Sequence, residues 1–288
     1  MIAICVVYLV DEAMDGLFFR HLAQLERCSG GVPFTVYAAA PRLASKYRDH
    51  LRSRSYVRLC DVEPTGLRGS AEHAYYLDQL VNRAVQAGSE YIATLDVDSF
   101  PVATSWLESC VAELQQGVSM VAVLRRENGD TSAPHPSFMF FARELWELED
   151  LTFAPLPLTS RTRAYYKATG QHRFDTGAAF GLLAYERHLR WKALLRTNIW
   201  NPHHIMAGIY GDRVFHYGAG SRPKLFWADL ARARRERPKA PKAELMEKVV
   251  RDNEPIAAEI LANLEADFDG YIARLRGRAL PAPISSIG

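Results

Sequence analysis

The chain contains few cysteines, and their spacing argues against both a cysteine-based metal site and a disulfide-stabilised fold. None of the four forms a Cys-x-x-Cys pair, and they lie far apart in the sequence, at Cys5, Cys28, Cys60 and Cys110. A zinc finger and a compact disulfide framework are therefore not expected. A chain of 288 residues also buries enough core to fold without disulfides. We interpret the cysteines as buried free thiols, which fits a reducing cytoplasm.

An excess of one charge is also missing. The 35 lysine and arginine residues nearly balance the 33 aspartate and glutamate residues, so the net charge is +2. Nucleic-acid-binding domains usually carry a strong basic excess, and nucleic acid is not expected as a partner. Apolar residues make up 48% of the chain and charged residues 24%. These fractions are typical of a globular protein and exclude a disordered or collagen-like chain.

Long apolar runs are absent near the start of the chain. Residues 2–10 are apolar, but Asp11 and Glu12 follow at once, and a membrane span needs about 20 residues. The segment also lacks the basic flank of a signal peptide. We interpret it as a buried strand, expect no integral membrane segment, and expect a cytoplasmic protein.

Strand and helix patterns alternate over residues 2–95. Four β-rich apolar segments are separated by three segments in which apolar residues recur at helical spacing. The strands are predicted at 2–9, 34–39, 56–60 and 91–95, and the helices at about 17–25, 41–52 and 70–87, with Ser70 as an N-cap. This alternation predicts an α/β fold with a mostly parallel central sheet and helices on both faces.

The remaining sequence is less regular. Helices are predicted at 106–116 and 187–197, strands at 118–124, 138–141 and 214–217, and a long surface loop at 151–170. Residues 229–247 are rich in Arg, Lys and Glu, which predicts a solvated helix and linker. Beyond them, apolar residues keep helical spacing as far as Phe268. We predict one domain over 1–228 and a charged linker with a C-terminal helical extension over 229–288, whose apolar stripe packs on the domain or on a second copy of the chain.

Two carboxylates follow the fourth predicted strand. Asp96 and Asp98 flank Val97 directly after the apolar run that ends at Leu95. Ligands of open α/β sheets bind at the carboxyl ends of the strands. Two acids at this spacing can share one divalent cation, and hard oxygen ligands suit Mg²⁺ or Mn²⁺, which would hold a substrate diphosphate. The alternative is that these acids only solvate a turn or cap the next helix.

These features resemble the GT-A nucleotide-diphospho-sugar glycosyltransferases, particularly the family-2-like members. The resemblance depends on the Gly-Ser helix start over 69–77 and on Leu95-Asp96-Val97-Asp98, within a region of roughly residues 2–221. It implies a GT-A (Rossmann-like) fold with a nucleotide-binding half over 1–101 and an acceptor half over 102–228. It also implies Mn²⁺ or Mg²⁺, a nucleotide-diphosphate sugar donor and a hydroxyl-bearing acceptor, with inversion at the sugar.

The resemblance implies roles for individual residues. Asp98 would bind the metal directly, and Asp96 would contact the ribose or reach the metal through water. His216, at the end of the last predicted strand, would be a third metal ligand, unless it is a buried core histidine. The implied nucleotide-binding residues are Tyr8, Leu9 and Val10 around the base, Asp61 at the base or ribose, Gly69 and Ser70 beside the nucleotide, and Arg222 at the diphosphate.

Four further residues are candidates for proton transfer, sugar contacts or metal binding. Asp175, in an Asp-Thr-Gly sequence, is the candidate base that takes the acceptor proton. It could instead bind a donor-sugar hydroxyl or cap the following segment. His135, between two prolines, either contacts a sugar or belongs to an ordered surface loop. His203 and His204 are adjacent, so a regular strand or helix would not aim both at one ion.

Other functions stay open at this point. The Asp96/Asp98 pair also resembles the nucleophile motif of haloacid-dehalogenase-type hydrolases, so a phosphotransferase or phosphatase is one alternative. A sugar nucleotidyltransferase shares the fold but needs a Gly-rich basic loop after the first strand, where this chain has Val10 to Met14. A non-catalytic binding module on a transferase fold is the third. The expected acceptor is a glycan, a lipid-linked sugar or a small molecule, and the C-terminal helices could join two copies of the chain.

Overall fold

A seven-stranded sheet forms the centre of the protein in the computed structural model, which describes residues 1–10, 14–148, 151–171, 175–218, 220 and 223–277. The strands are β1 (Ile2–Val7), β2 (Phe34–Ala39), β3 (Val57–Cys60), β4 (Tyr91–Asp96), β5 (Ser99–Pro101), β6 (Met120–Val123), β7 (His135–Ala142), β8 (Lys192–Leu194), β9 (Gly208–Tyr210) and β10 (Val214–His216). The central order is β3-β2-β1-β4-β7-β6-β8. Only β7 runs against the other six strands of this sheet. The predicted α/β fold with a mostly parallel sheet is confirmed.

Helices cover both faces of this sheet. They are α1 (Asp15–Cys28), α2 (Ser45–Arg52), α3 (Ser70–Gln86), α4 (Trp106–Gln115), α5 (Arg143–Glu147), α6 (Ser160–Thr169), α7 (Ala178–Glu186), α8 (Trp227–Glu236), α9 (Lys242–Ala266) and α10 (Phe268–Leu275). The apolar faces of α1, α2, α4, α9 and α10 share one core, and those of α3, α5 and α7 share the other. Each face of the sheet therefore has its own hydrophobic layer.

The first strand shows how the sequence builds two layers. Successive side chains of a strand point to opposite faces. Ile4 and Val6 lie in the core with α1, whereas Cys5 and Val7 lie in the core with α3. Every residue of β1 is buried, and a strand covered on both faces needs a continuous apolar run rather than alternation.

A small second sheet lies after β4. The strands β5, β10 and β9 pair antiparallel in that order. His216 of β10 pairs with Ser99 of β5. Because Ser99 directly follows Asp98 in the chain, this register brings the end of β10 back to the carboxylates that follow β4.

Two predicted segments and one predicted cap are wrong. Residues 187–197 do not form a helix, because α7 ends at Glu186 and β8 then pairs with β6. The predicted loop at 151–170 contains α6, whose N-cap Thr159 forms a reciprocal capping pair with Thr162. Gly69 rather than Ser70 is the N-cap of α3, and its φ of 62° favours glycine.

The C-terminal apolar stripe packs on the rest of the chain. Ala257, Ile260 and Leu264 of α9 belong to the same core as α1. Nearer its start, α9 packs Leu245 and Val249 against α8. The stripe therefore packs on the domain of the same chain, the first of the two predicted arrangements.

No helix of the described residues is both long and apolar enough to span a membrane.

His21 of α1 holds the turn beside the two carboxylates. Its Nδ1 lies 2.7 Å from the carbonyl oxygen of Ser99, and its Nε2 is buried without a hydrogen-bond partner. Nδ1 therefore carries the proton and donates it to that carbonyl. Burial lowers the pKa of His21 to about 4, because charging the ring inside the core is unfavourable.

The lowered pKa of His21 predicts a pH dependence of stability. The ordinary pKa of 6.5 applies to the unfolded chain and about 4 to the folded protein. The contribution of His21 to the stability of the fold is therefore fully present above pH 6.5, and it is lost as the pH falls toward 4. His21→Asn keeps an N–H donor at the position of Nδ1 but does not titrate, so we expect the wild type to lose about 3 kcal/mol more across this interval. Urea denaturation at several pH values measures the loss, and parallel stability curves for the two proteins would contradict the prediction.

Candidate active site

A cleft of about 560 Å³ opens at the carboxyl edge of the central sheet. Its wall contains residues that follow β1, β4 and β6, the first turn of α3 and the start of β7. Because β7 runs antiparallel to its neighbours, its first residues lie at the same edge as the last residues of β4. Ligands of open α/β sheets bind at this edge, so the cleft is the candidate site.

Asp96, Asp98 and His216 meet in this cleft. The imidazole Nε2 of His216 lies 3.6 Å from Oδ1 of Asp98 and 3.9 Å from Oδ2 of Asp96. All three side chains offer a ligand atom within 4.8 Å of the others. The turn between β4 and β5 presents the carboxylates, and the pairing of β10 with β5 presents the histidine.

The donor set fits a divalent cation. Oδ1 of Asp96 is buried and lies 3.2 Å from Nε2 of His73, and the remaining lone pairs of this carboxylate are available to a bound cation. Oδ2 of Asp98 accepts a hydrogen bond from the Gly220 N–H at 2.8 Å, which orients the carboxylate. Carboxylates suit Mg²⁺ and Mn²⁺, and an added imidazole favours a transition metal such as Mn²⁺. The three predicted metal ligands could therefore hold Mn²⁺ or Mg²⁺.

His73 is a further member of the cluster that sequence analysis did not single out. Its Nε2 lies 3.2 Å from Oδ1 of Asp96. Burial lowers the pKa of His73, but its contact with Asp96 and the charge of Asp98 outweigh burial and raise the pKa. Burial raises the pKa of Asp96, but the contact with His73 outweighs burial and holds the pKa of Asp96 well below its usual range. The one signal in the sequence that pointed to His73 was its position in the first turn of α3, shortly after Gly69 and Ser70.

A buried arginine organises the opposite side of the cleft. Arg125 follows β6 and lies 3.2 Å from both Asp130 (Nε to Oδ2) and Asp175 (Nη2 to Oδ2). Gln171 donates to the other oxygen of Asp130 at 3.1 Å. The guanidinium is thus fixed between two carboxylates, one of them the predicted catalytic residue. An arginine two residues past an apolar strand carried no recognisable motif in the sequence.

The environment of Asp175 keeps this carboxylate ionised. Burial raises the pKa of Asp175, but the charge of Arg125 outweighs burial and holds the pKa well below its usual range. The Thr176 N–H also donates to Asp175 at 2.9 Å. Asp175 lines the cleft, where it could accept a proton or bind a sugar hydroxyl.

His135 lines the cleft as a neutral hydrogen-bond donor. Its Nδ1 accepts the Ser137 N–H at 3.1 Å, which leaves the proton on Nε2. Burial, followed by the charge of Arg125, lowers the pKa of His135 well below 6.5. Its ring stacks on that of His216, with centroids 6.0 Å apart. The proline-flanked position is thus part of the site and not a surface loop.

The structure brings most of the predicted site residues together but not all. Those that line the cleft are Leu9, Val10, Gly69, Ser70, Asp96, Asp98, Asp175 and His216. Tyr8 is fully buried against Phe18 and His21, because the alternation of β1 turns it into the core. Asp61 is exposed after β3 and does not line the cleft. Arg222 lies outside the described residues.

A second group of possible ligands lies elsewhere. Nε2 of His203 and Nε2 of His204 lie 3.3 and 3.4 Å from the carboxylate of Asp229. The two histidines converge despite their adjacency because residues 201–207 form neither strand nor helix. Nδ1 of His203 accepts the N–H groups of Ile205 and Met206 at 3.1 and 3.2 Å. Its proton is therefore on Nε2, which leaves no lone pair for a metal. We interpret this group as a tether of the segment to α8.

Solved structures of GT-A-type nucleotide-sugar glycosyltransferases are similar to this chain. The mannosyltransferase PcManGT from Pyrobaculum calidifontis, in complex with GDP-Man and Mn²⁺, is 16% identical, with 92% of this chain and 75% of that chain covered and a TM-score of 0.43. S. aureus TarS 1–349 in complex with UDP-GlcNAc is 10% identical, with 97% and 93% covered and a TM-score of 0.43. LgtC, as an active-site mutant, is 10% identical, with 68% and 73% covered and a TM-score of 0.40.

For a second structure of S. aureus TarS 1–349, the match covers 53% of this chain and 50% of that chain. This chain therefore spans about half the length of that structure. No protein-family model matches the chain, and no curated protein matches it. At these identities the similarity concerns the fold alone, and the chemistry of the cleft depends on the residues that line it.

Gly220 offers a direct test of the candidate metal centre. A Cβ added at Gly220 would lie 2.9 Å from both Cβ and Oδ2 of Asp98, so Gly220→Ala must displace this carboxylate. We expect Mn²⁺ affinity to fall by about tenfold, as when supporting groups of metal ligands are disturbed. Isothermal titration calorimetry measures the affinity.

The matched control is Gly66→Ala, since a Cβ at Gly66 meets no atom within 4 Å. Equal Mn²⁺ affinities for the two alanine variants would contradict the assignment of Asp98 as a ligand.

Proposed function

We propose that the protein is a divalent-cation-dependent glycosyltransferase that moves a sugar from a nucleotide-diphosphate sugar to a hydroxyl of its acceptor, with inversion at the sugar. The observation that carries the proposal is the convergence of Asp96, Asp98 and His216 at the carboxyl edge of the sheet. A cation there would lie in the cleft where an open α/β sheet binds its ligand.

The nucleotide part of the donor fits the side of the cleft formed by β1 and α3. Val7, Leu9 and Val10 supply an apolar wall for a base. Gly69 and Ser70 begin α3 beside this wall. The unpaired N–H groups and the dipole at a helix N-terminus favour an anion such as a diphosphate. When bound by Asp96, Asp98 and His216, the cation would supply charge neutralisation to the departing diphosphate.

The sugar and the acceptor fit the side formed by Arg125, His135 and Asp175. In the proposed transfer, the acceptor oxygen bonds to the anomeric carbon while the bond from that carbon to the diphosphate oxygen breaks. The electron pair of the broken bond leaves with the nucleoside diphosphate, and the hydroxyl proton passes to Asp175. Arg125 holds this carboxylate at 3.2 Å, and the Nε2 proton of His135 is available to a sugar hydroxyl.

The first test is turnover with a panel of uridine and guanosine diphosphate sugars, followed by release of the nucleoside diphosphate with and without Mn²⁺. We expect release with one donor only when a divalent cation is present, and we expect Asp98→Asn to reduce the rate by at least about a hundredfold, since the loss of a metal ligand removes transition-state stabilisation.

Asp61→Asn is the matched control, because it removes an exposed carboxylate outside the cleft, and it should turn over at the wild-type rate. Release that continues in EDTA would contradict the cation-dependent mechanism. Release of inorganic phosphate in place of the nucleoside diphosphate would favour the phosphatase alternative.

The contact between Arg125 and Asp175 predicts the pH profile. A general base acts only when it is deprotonated, so kcat/KM falls once the pH drops below its pKa. Arg125 holds the pKa of Asp175 below its usual range. Arg125→Gln removes this charge, so the pKa should rise and the acid limb of kcat/KM should move to higher pH. Profiles of the two enzymes over the acidic range measure the shift.

Asp175→Asn is the partner variant. We expect kcat to fall by about 10² to 10⁴, the usual contribution of a general base, while Mn²⁺ affinity stays at the wild-type value. A wild-type kcat for Asp175→Asn would leave the carboxylate with a sugar-binding or structural role only.

A further inference from the structure

The segment from Trp227 to Lys242 concentrates positive charge. It contains four arginines and two lysines but only two acids, Asp229 and Glu236. Its net charge is therefore +4 in a chain whose net charge is +2, so the remaining sequence is net negative by two charges. A charge balance that looks neutral for the whole chain thus hides a strongly basic surface.

The basic residues lie on the exposed side of α8 and on the turn that follows it. The inner face of α8 is fixed by Leu230 and Ala233, which pack against α9. At 100° per residue the opposite face presents Arg235, and Ala231 and Trp227 lie toward one flank of the helix. All three are exposed, Trp227 with 59% of its surface accessible.

Trp227 lines a small surface hollow. The other residues that line it are Leu230, Ala231, Arg234 and Lys242. Nζ of Lys242 lies 5.9 Å from the centre of the Trp227 ring. An exposed indole surrounded by cations combines an apolar body and a hydrogen-bonding edge with positive charge.

Acids neutralise only part of this charge. Arg232 pairs with Asp229 at 3.2 Å, and Arg237 pairs with Glu244. Arg234 donates to the carbonyl oxygens of Pro238 and Ala240, which leaves its charge without an acid. Arg235 and Lys239 are exposed, and no acid lies within ion-pair distance of either among the described residues.

We propose that this face of α8, with the turn to Lys242, docks the protein on the surface of a membrane rich in anionic phospholipids. Tryptophan prefers the interface between lipid and water, and clustered Lys and Arg bind anionic headgroups. The net negative charge of the remaining sequence orients the molecule, because an anionic surface repels it while attracting α8. The helix lies on the surface and does not span it, since Leu230 and Ala233 stay buried in the protein.

The docking face is independent of the proposed chemistry. None of its residues lines the catalytic cleft, and membrane binding is measured without substrate. Failure of either proposal therefore leaves the other standing.

Vesicle flotation tests the docking face. Vesicles of pure phosphatidylcholine are compared with vesicles in which roughly a third of the lipid is phosphatidylglycerol. We expect the wild type to float with the anionic vesicles only. Raising the salt should weaken binding, because screening shortens the range of electrostatic attraction to about 8 Å near 0.15 M.

Two variants locate the binding to α8. Trp227→Ala removes the indole, and Arg235→Gln/Lys239→Gln removes two charges. Each should weaken binding to anionic vesicles by at least about tenfold. The matched control is Arg187→Gln/Arg190→Gln. It removes two exposed charges just after α7, in the layer on the other face of the sheet, and it should bind like the wild type.

Three outcomes would overturn the proposal. One is the absence of wild-type flotation with anionic vesicles. Another is flotation that Trp227→Ala and Arg235→Gln/Lys239→Gln leave unchanged while their thermal unfolding matches the wild type. The third is tight binding of single-stranded RNA that is lost in the same variants, which would assign the face to nucleic acid instead of lipid.

Discussion

The repulsion between Asp96 and Asp98 is the constraint around which the site is built. Two carboxylates held this close in a largely buried place are stable together only when positive charge compensates them. In the structure His73 approaches Asp96 from α3, and His216 approaches both carboxylates from β10. A divalent cation would complete the compensation. The second sheet serves this arrangement, because its register returns His216 to the turn that presents Asp98.

A similar compensation operates across the cleft. Arg125 is buried between Asp130 and Asp175, and removal of a buried partner would leave uncompensated charges. The two sides differ in what they leave available. The first offers carboxylate oxygens to a cation, and the second offers one ionised carboxylate, Asp175, beside a neutral imidazole, His135. A donor with a diphosphate on one side and a sugar on the other matches this division of charge.

Much of the fold could be predicted because its strands are buried on both faces. The continuous apolar runs at 2–9 and 34–39 required no knowledge of partners, and both became strands of the central sheet. The helix predicted at 187–197 was wrong for the opposite reason. Their apolar residues also suit a helix, and only pairing with β6 makes a strand of residues 192–194. Long-range pairing of this kind overrides local preference.

The candidate site was predictable where residues adjacent in sequence act together. Asp96 and Asp98 form a motif, whereas Arg125 and His73 reach the cleft only through the order of the strands and the packing of α3. Tyr8 is the converse case, a residue predicted in the site that the structure places elsewhere. It directly precedes two cleft residues and yet faces the core. Alternation along one strand decides the difference.

A divalent cation and a nucleoside diphosphate that share this cleft should bind with coupled affinities. Calorimetric titration of Mn²⁺ in the presence and absence of a saturating nucleoside diphosphate measures the coupling most directly. We expect each ligand to tighten the binding of the other by at least about tenfold, because a shared site gives reciprocal linkage. Equal Mn²⁺ affinity with and without every nucleoside diphosphate tested would contradict a shared site.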